Sequence, residues 1–239
     1  MTSFAETLQS VSTIDGWLTE GQARMLYDAA SAAPAGEAIV EIASHHGRST
    51  IILAKAKSPS VQLIAIDPFG DPRWGGGNDA LDTFNENLAQ NGLGDAVTLI
   101  RDFGANAGDN WSSGPVGLLF VDGAHDYPSV KTDLAAWRPH LSPTATILLH
   151  DAYSSPGVTR AVFAEMFASR DYRYTGSSGS LVRFQRSPSP STVGVMIGRG
   201  RMLAKLPYLA RNLAIKVAMR RGWDALPPLL GHRSPGAPY

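Results

Sequence analysis

Five short runs of continuous aliphatic residues, each followed by a helix-like segment, set the strongest limit on what this chain can fold into. Ile39–Ala43 reads as a strand, and Gly47–Lys57 as the helix after it. Leu63–Asp67 is a second strand, leading through a polar loop to a helix over Asn78–Asn91. Val97–Asp102, Gly117–Asp122 and Thr146–Asp151 are the third, fourth and fifth strands, with helices predicted over Ser129–Trp137 and Val158–Ser169. Runs that do not alternate apolar with polar suit strands buried on both faces, as in a parallel sheet. Repeated strand–helix steps then predict a doubly wound, Rossmann-like α/β fold. After the last of them the order changes. Tyr172–Thr175 and Leu181–Gln185 flank Gly176-Ser-Ser-Gly179, a turn signal with no helix, so an antiparallel hairpin is expected to finish a mostly parallel, seven-stranded sheet.

Ser187-Pro-Ser-Pro-Ser-Thr192 has the composition of a linker, which divides the chain into a domain over residues 1–186 and an extension over 187–239. In the extension Met202, Leu206, Leu209, Leu213 and Val217 fall on one helical face. Arg201, Lys205, Arg211 and Lys216 fall on the other. This is a basic amphipathic helix, broken or started at Pro207. Charge divides at the same place. Lys plus Arg is 21 and Asp plus Glu is 21. Yet the residues from Ser187 onward carry 8 basic side chains and one acid, Asp224, leaving 13 basic and 20 acidic in the first part. No nucleic-acid partner is expected from an acidic domain. The absence of cysteine excludes disulfides, thiolate metal sites and a catalytic thiol. The first residues lack the basic and apolar run of a signal peptide, and no apolar stretch is long enough to span a bilayer, so the expected location is cytoplasmic.

In open α/β sheets the ligand sits outside the carboxyl ends of the strands. Four predicted strands end in an acid: Asp67, Asp102, Asp122 and Asp151. An Asp after a strand is also a common helix cap. Four of them gathered at one rim, however, require a cation or a hydroxyl-rich ligand. The first turn, Glu41-Ile-Ala-Ser-His-His-Gly-Arg-Ser-Thr50, aims backbone N–H groups at an anion, a phosphate or a carboxylate. It has only Gly47 where a dinucleotide fingerprint has three glycines. His45 and His46 are either ordinary loop histidines or ligands. Asp67 lies about 20 residues past the turn, where an acid takes ribose hydroxyls. Asp102, or the backbone beside it with Phe103, is placed to meet an adenine. Beyond the fourth and fifth strands stand Asp122 and His125, then His150 and Asp151. Carboxylates with imidazole and no thiol suit Mg²⁺ or Mn²⁺, with a nearby histidine as general base; the other reading is a hydrogen-bonded cluster without metal. Trp74 and Gly75–Gly77 are candidate lid elements or a plain surface loop, and Trp17 either caps a cofactor or packs on a helix.

Taken together, Glu41-Ile-Ala-Ser-x-x-Gly-Arg-Ser-Thr50, the Ile-Asp67 strand end, and Val-Asp122-Gly-x-His125 with His150-Asp151 resemble a class I S-adenosylmethionine-dependent methyltransferase. The nearer likeness is to bacterial metal-dependent sugar and macrolide-sugar O-methyltransferases, over roughly Trp17 to Gln185. The terminal hairpin fits class I methyltransferase sheets. The resemblance implies that Glu41, Ala43, Ser44, Gly47, Ser49 and Thr50 embrace the methionine part of S-adenosylmethionine, with Asp67 on the ribose. It implies further that Asp122 and Asp151, joined by His150, hold Mg²⁺ or Mn²⁺, with His125 as base. Two departures stand out. Ala43 replaces the family's glycine, a methyl that is tolerated unless the position needs positive φ. His150 stands where relatives often carry a second acid.

The expected reaction is methyl transfer to a hydroxyl of a sugar, oligosaccharide or glycoside, a mycobacterial-type methylated mannose or glucose saccharide being one such acceptor. A catechol-type phenol methyltransferase and a non-catalytic cofactor-binding protein are the competing readings. For the extension, packing on the sheet domain or on a second subunit of a homo-oligomer is favoured over peripheral contact with an anionic membrane or an acidic partner.

Overall fold

The computed structural model describes residues 2–70, 79–233 and 238. Trp74, Gly75–Gly77 and Asn78, expected as lid elements and as a helix start, lie outside the described residues. Seven strands form one sheet in the order β3-β2-β1-β4-β5-β7-β6. They are β1 (Ala38–Ile42), β2 (Leu63–Ile66), β3 (Thr98–Ile100), β4 (Val116–Val121), β5 (Leu141–Leu149), β6 (Tyr172–Ser178) and β7 (Leu181–Arg186). β1 to β5 pair in parallel, and β7 pairs antiparallel with both β5 and β6, so an antiparallel hairpin ends the sheet as the sequence predicts. Chain order reverses between β1 and β4, the switch point at which such sheets open a ligand crevice.

Successive strand side chains point to opposite faces, so each apolar run feeds two cores. Val40, Ile42, Leu119, Val121, Ile147 and Leu149 face one side. Ile39, Leu118, Phe120 and Leu148 face the other. The second core is closed by α1 (Phe4–Ser10), α2 (Glu20–Ser31), α3 (Arg48–Ala56) and α4 (Ala80–Gln90). Capping boxes start α1 and α2, where Ser3 pairs with Glu6 and Thr19 with Gln22. The first core is closed by α5 (Gly104–Asp109), α6 (Tyr127–Trp137) and α7 (Pro156–Ala161), which continues as a π-helical turn over Val162–Phe167. Trp137 is fully buried there and donates its indole N–H to the Gly104 carbonyl at 2.8 Å.

The structure departs from the sequence expectation in the hairpin and the extension. Gly176 does not make the turn. β6 runs on to Ser178, the register shifts between Tyr174 and Gly176, and Gly179 at φ 55° turns the chain. A glycine inside a strand marks a bulge as readily as a turn. In the extension α8 (Thr192–Leu203) and α9 (Leu206–Arg221), the latter with Pro207 in its first turn, precede the short α10 (Leu226–Leu229). Both long helices lie on the sheet domain, but α9 uses its predicted apolar face only in part, Leu209 packing against the core. Asn212, Ile215 and Ala218 are buried, whereas Leu206 and Val217 are exposed.

Asn212 makes the difference. Its amide, wholly buried, donates to the Tyr153 carbonyl at 3.1 Å and accepts from the Arg211 guanidinium at 2.9 Å. The Tyr153 hydroxyl donates in turn to the Met202 carbonyl at 3.2 Å. Polar pairing at the loop after β5 thus selects the inward face of α9. Asn212→Ala is expected to lower unfolding stability by about 1–3 kcal/mol by leaving buried polar groups unpaired, measured by denaturant titration.

Candidate active site

Loops at the carboxyl ends of β1 through β5 enclose a cavity of about 880 Å³. The turn after β1 forms one wall. Gly47 caps α3 at φ 83°, and a Cβ there would meet the Phe84 ring at 3.1 Å, so the position needs glycine both for its backbone angle and for the close approach. Glu41, wholly buried beneath the turn, accepts from the Thr50 hydroxyl at 2.5 Å. Burial pushes its pKa up to about 7, against the hydroxyls of Ser49, Thr50 and Ser44, which pull it down. Asp67, directly after β2, accepts from the His45 N–H at 2.9 Å and from the Phe69 N–H at 2.9 Å. Its carboxylate is thereby fixed in orientation at the cavity wall.

Ala43 sits at φ 68°. The residue at this position does need the left-handed region, so the methyl carries a conformational cost. His45, Phe69 and Asp151 share the feature, with φ of 46°, 36° and 56°. Among the described residues these four are the non-glycine positions with positive φ, and all lie in turns at the strand ends. Strain gathered at one rim is characteristic of a working site.

The opposite wall holds two carboxylate–imidazole pairs. His150 Nδ1 lies 2.9 Å from Asp122 Oδ1 and 3.8 Å from Asp151 Oδ2. Burial alone would push the His150 pKa down. The charge and hydrogen bond of Asp122, followed by the charge of Asp151, outweigh it and hold the pKa at about 9. His125 Nε2 lies 3.2 Å from Asp151 Oδ2, with the imidazole half-exposed in the cavity and the carboxylate buried behind it. The other oxygen of Asp151 accepts from the hydroxyls of Ser154 and Ser180. The backbone of His125 is also pinned. Its carbonyl accepts from the Ser155 hydroxyl at 2.9 Å, and a Cβ on Gly157 would stand 2.2 Å from that carbonyl.

The expected metal set is not assembled. Among the described residues no three His, Asp or Glu side chains converge as ligands. Asp122 faces His150, and Asp151 faces His125 and, further off, His150. Asp122 and Asp151 are each engaged by an imidazole, and the chemistry that follows rests on these side chains alone.

Of the expected cofactor residues, Ala43, Ser44, Ser49, Asp67 and Phe103 line the cavity, as do His45 and His46, whose rings stack on each other at 3.8 Å. Glu41, Gly47 and Thr50 stand behind the turn and shape it. Asp102 caps the start of α5, accepting from the Phe103 N–H at 2.7 Å and from Asn106 at 2.9 Å, which leaves Phe103 as the cavity-lining member of that pair. Trp17 does not pack on a helix. It is 62% exposed, lines the cavity and lies 5.6 Å from the His45 ring, held there by Arg48, whose guanidinium donates to the carbonyls of Ile14 and Gly16.

Two lining residues escape a reading by pattern. Asp133 on α6 is buried, and burial raises its pKa to about 7 although the Ala105 N–H pulls it down. Lys216 on α9, expected on the outer basic face, turns inward and donates to the Ser154 carbonyl at 2.7 Å. Only tertiary packing of α9 onto the loop after β5 reveals it.

Residues 40–152 match the family described as a methyltransferase domain. A curated relative, the uncharacterized protein y4gI of Sinorhizobium fredii, is 31% identical over 118 residues, which span 47% of this chain. The chain spans only 13% of that relative's length. A solved protein from Corynebacterium glutamicum superposes with a TM-score of 0.62 at 13% identity, covering 79% of this chain and 91% of its own. An O-methyltransferase from Bacillus cereus, solved in complex with SAH, gives a TM-score of 0.60 at 16% identity, over 77% and 90% of the two chains. The fold is the Rossmann-like methyltransferase fold. Residues 40–152 are thus similar to methyltransferase domains, and the likeness to the solved structures lies in the fold.

Replacing the strained alanine with the residue its backbone prefers provides a test of the turn. Ala43→Gly is expected to raise stability by about 0.5–1 kcal/mol, read as an upward shift in Tm. A fall in Tm would mean that the methyl contributes more by packing than its left-handed backbone costs.

Proposed function

We infer that the enzyme is an O-methyltransferase that moves the methyl group of S-adenosylmethionine to a hydroxyl of a sugar, oligosaccharide or glycoside, with His125 as general base. The observation that carries this reading is the His125–Asp151 pair, 3.2 Å apart, facing the cavity across from the carboxylate of Asp67. The cradle fits the cofactor. Asp67 offers a fixed pair of acceptor oxygens for a ribose diol, and the turn from Ala43 to Ser49 offers small polar walls for the methionine end. When bound, the cofactor supplies an electrophilic methyl on a sulfonium. A cytoplasmic location belongs to the same reading.

An aliphatic hydroxyl is a poor nucleophile until its proton is taken. His125 accepts that proton on the ring nitrogen turned to the acceptor, while Asp151 holds the other nitrogen and stabilises the imidazolium as it forms. This is the logic by which a carboxylate-backed histidine activates a serine hydroxyl. Ser154 and Ser180 keep Asp151 in place, and Ser155 with Gly157 keeps the His125 backbone in place. The protonated His150 neutralises Asp122 beside the reaction, so the pair presents little net charge to the sulfonium. Positioning the acceptor oxygen in line with the methyl supplies much of the remaining rate. The exposed Trp17 ring at the wall offers the flat surface on which a pyranose face stacks, and Asp122 offers acceptor oxygens for its hydroxyls.

The test is a screen of mono- and oligosaccharides against catechols with labelled S-adenosylmethionine. Labelled sugar product is expected; label transferred to catechols alone would overturn the acceptor assignment. On the acceptor found, His125→Ala is expected to lower kcat by about 10²–10⁴-fold. Asp151→Asn should lower it by about 10²-fold or more, with calorimetric affinity for the cofactor unchanged in both variants. Full turnover in either variant would remove the pair from the mechanism. Dialysis against a chelator is expected to change kcat by less than about 2-fold, since no lining residue is assigned to a metal. A loss restored by Mg²⁺ would overturn that assignment.

A further inference from the structure

Of the apolar stripe that the sequence predicts along the extension, Met202 is buried and Leu209 packs on the core, while Leu206 and Val217 remain exposed. On α8, Val195, Gly198 and Met202 are buried against the sheet domain, with Gly198 set close on Tyr174 of β6. At 100° per residue the opposite face of α8 carries Val193, Met196 and Ile197, which are 67%, 66% and 51% exposed. Leu203 and Leu206 continue the exposed apolar surface into α9, and Val217 extends it along that helix. Trp223, after the helix, is also half-exposed. A helix that already buries one face has no folding reason to carry large aliphatic residues on the other.

The charges of the extension around this surface are basic except for Asp224, which follows Trp223. Arg201 lies beside the α8 stripe, Lys205 joins the two helices, and Arg220 and Arg221 end α9. Three other cations of the extension donate to backbone carbonyls, whereas Lys205 and Arg221 lie against the rings of Tyr208 and Trp223. Arg199 donates to the carbonyls of Phe167, Ala168 and Ser169. Arg211 donates to the Leu230 carbonyl, and Lys216 to that of Ser154. The sole acid of the extension is Asp224. In a symmetric dimer through this face the same cations would meet their own copies without counter-charges. No described helix is long and apolar enough to cross a membrane.

We propose that the outward apolar faces of α8 and α9, with Arg201, Lys205, Arg220 and Arg221 at their margin, bind the surface of an anionic lipid bilayer. The aliphatic side chains enter the headgroup boundary and the cations pair with lipid phosphates, which seats the enzyme peripherally. The proposal does not depend on the acceptor or on the catalytic pair.

Flotation of the full chain with phosphatidylcholine vesicles, with and without phosphatidylglycerol, tests it. Binding is expected to the anionic vesicles, about 10-fold weaker to phosphatidylcholine alone, and reduced by raised salt. The double variants Met196→Ser/Ile197→Ser and Arg220→Ser/Arg221→Ser should each weaken binding about 10-fold while cofactor titration stays unchanged. No association of the wild-type chain with anionic vesicles overturns the proposal. So does undiminished binding by both variants. A concentration-dependent dimer in sedimentation that is abolished by Met196→Ser/Ile197→Ser, without vesicle binding, assigns the face to a second copy instead.

Discussion

Two carboxylates leave adjacent parallel strands side by side, and the site depends on how their repulsion is relieved. Asp122 follows β4 and Asp151 lies just past β5, strands that pair along their length. Asp122 is partly exposed at the cavity and Asp151 is buried, and both approach the His150 ring. Here the relief comes from imidazole. His150, protonated up to about pH 9, stands between them, and His125 takes the free side of Asp151. The arrangement leaves the His150 imidazole buried and the His125 imidazole half-exposed in the cavity.

That division relies on a loop held from several directions. Residues 150–155 receive the Ser180 carbonyl at Ala152, the Asn212 amide at Tyr153 and the Lys216 ammonium at Ser154. Ser155 passes the restraint on to the His125 carbonyl. The basic extension is therefore part of what holds His125 and Asp151 in register, and its Lys216 reaches the cavity itself. The charge split between the two parts of the chain does not mark two independent objects, since the second half clamps the acid-bearing loop of the first.

The strands and the rim of acids were legible because they depend on local signals. A continuous aliphatic run such as Leu118–Val121 has few ways to be buried on both sides except inside a parallel sheet, and the residue after it is forced to the carboxyl rim. Partners across the rim were not legible. Nothing in the spacing of His125 and Asp151 says whether they meet each other or a shared ion, because the answer is set by the few ångströms between two loops. Gly176 misled for a related reason: a glycine reports backbone freedom, which a bulge and a turn use equally.

The extension shows the limit most plainly. Periodicity correctly identified an apolar stripe through Leu206 and Val217, but periodicity cannot say which stripe meets the domain. The choice was made by one buried asparagine. Asn212 satisfies the Tyr153 carbonyl, a group that would otherwise be sealed from water without a partner, and that requirement outweighs the burial of a few more methyl groups. Once Asn212 is turned inward, the helix geometry fixes everything else about α9. Lys216, four residues on, must face the loop after β5, and Val217 must face away. A single polar contact thus delivers a lysine to the cavity and leaves an aliphatic stripe outside, the same rotation accounting for both.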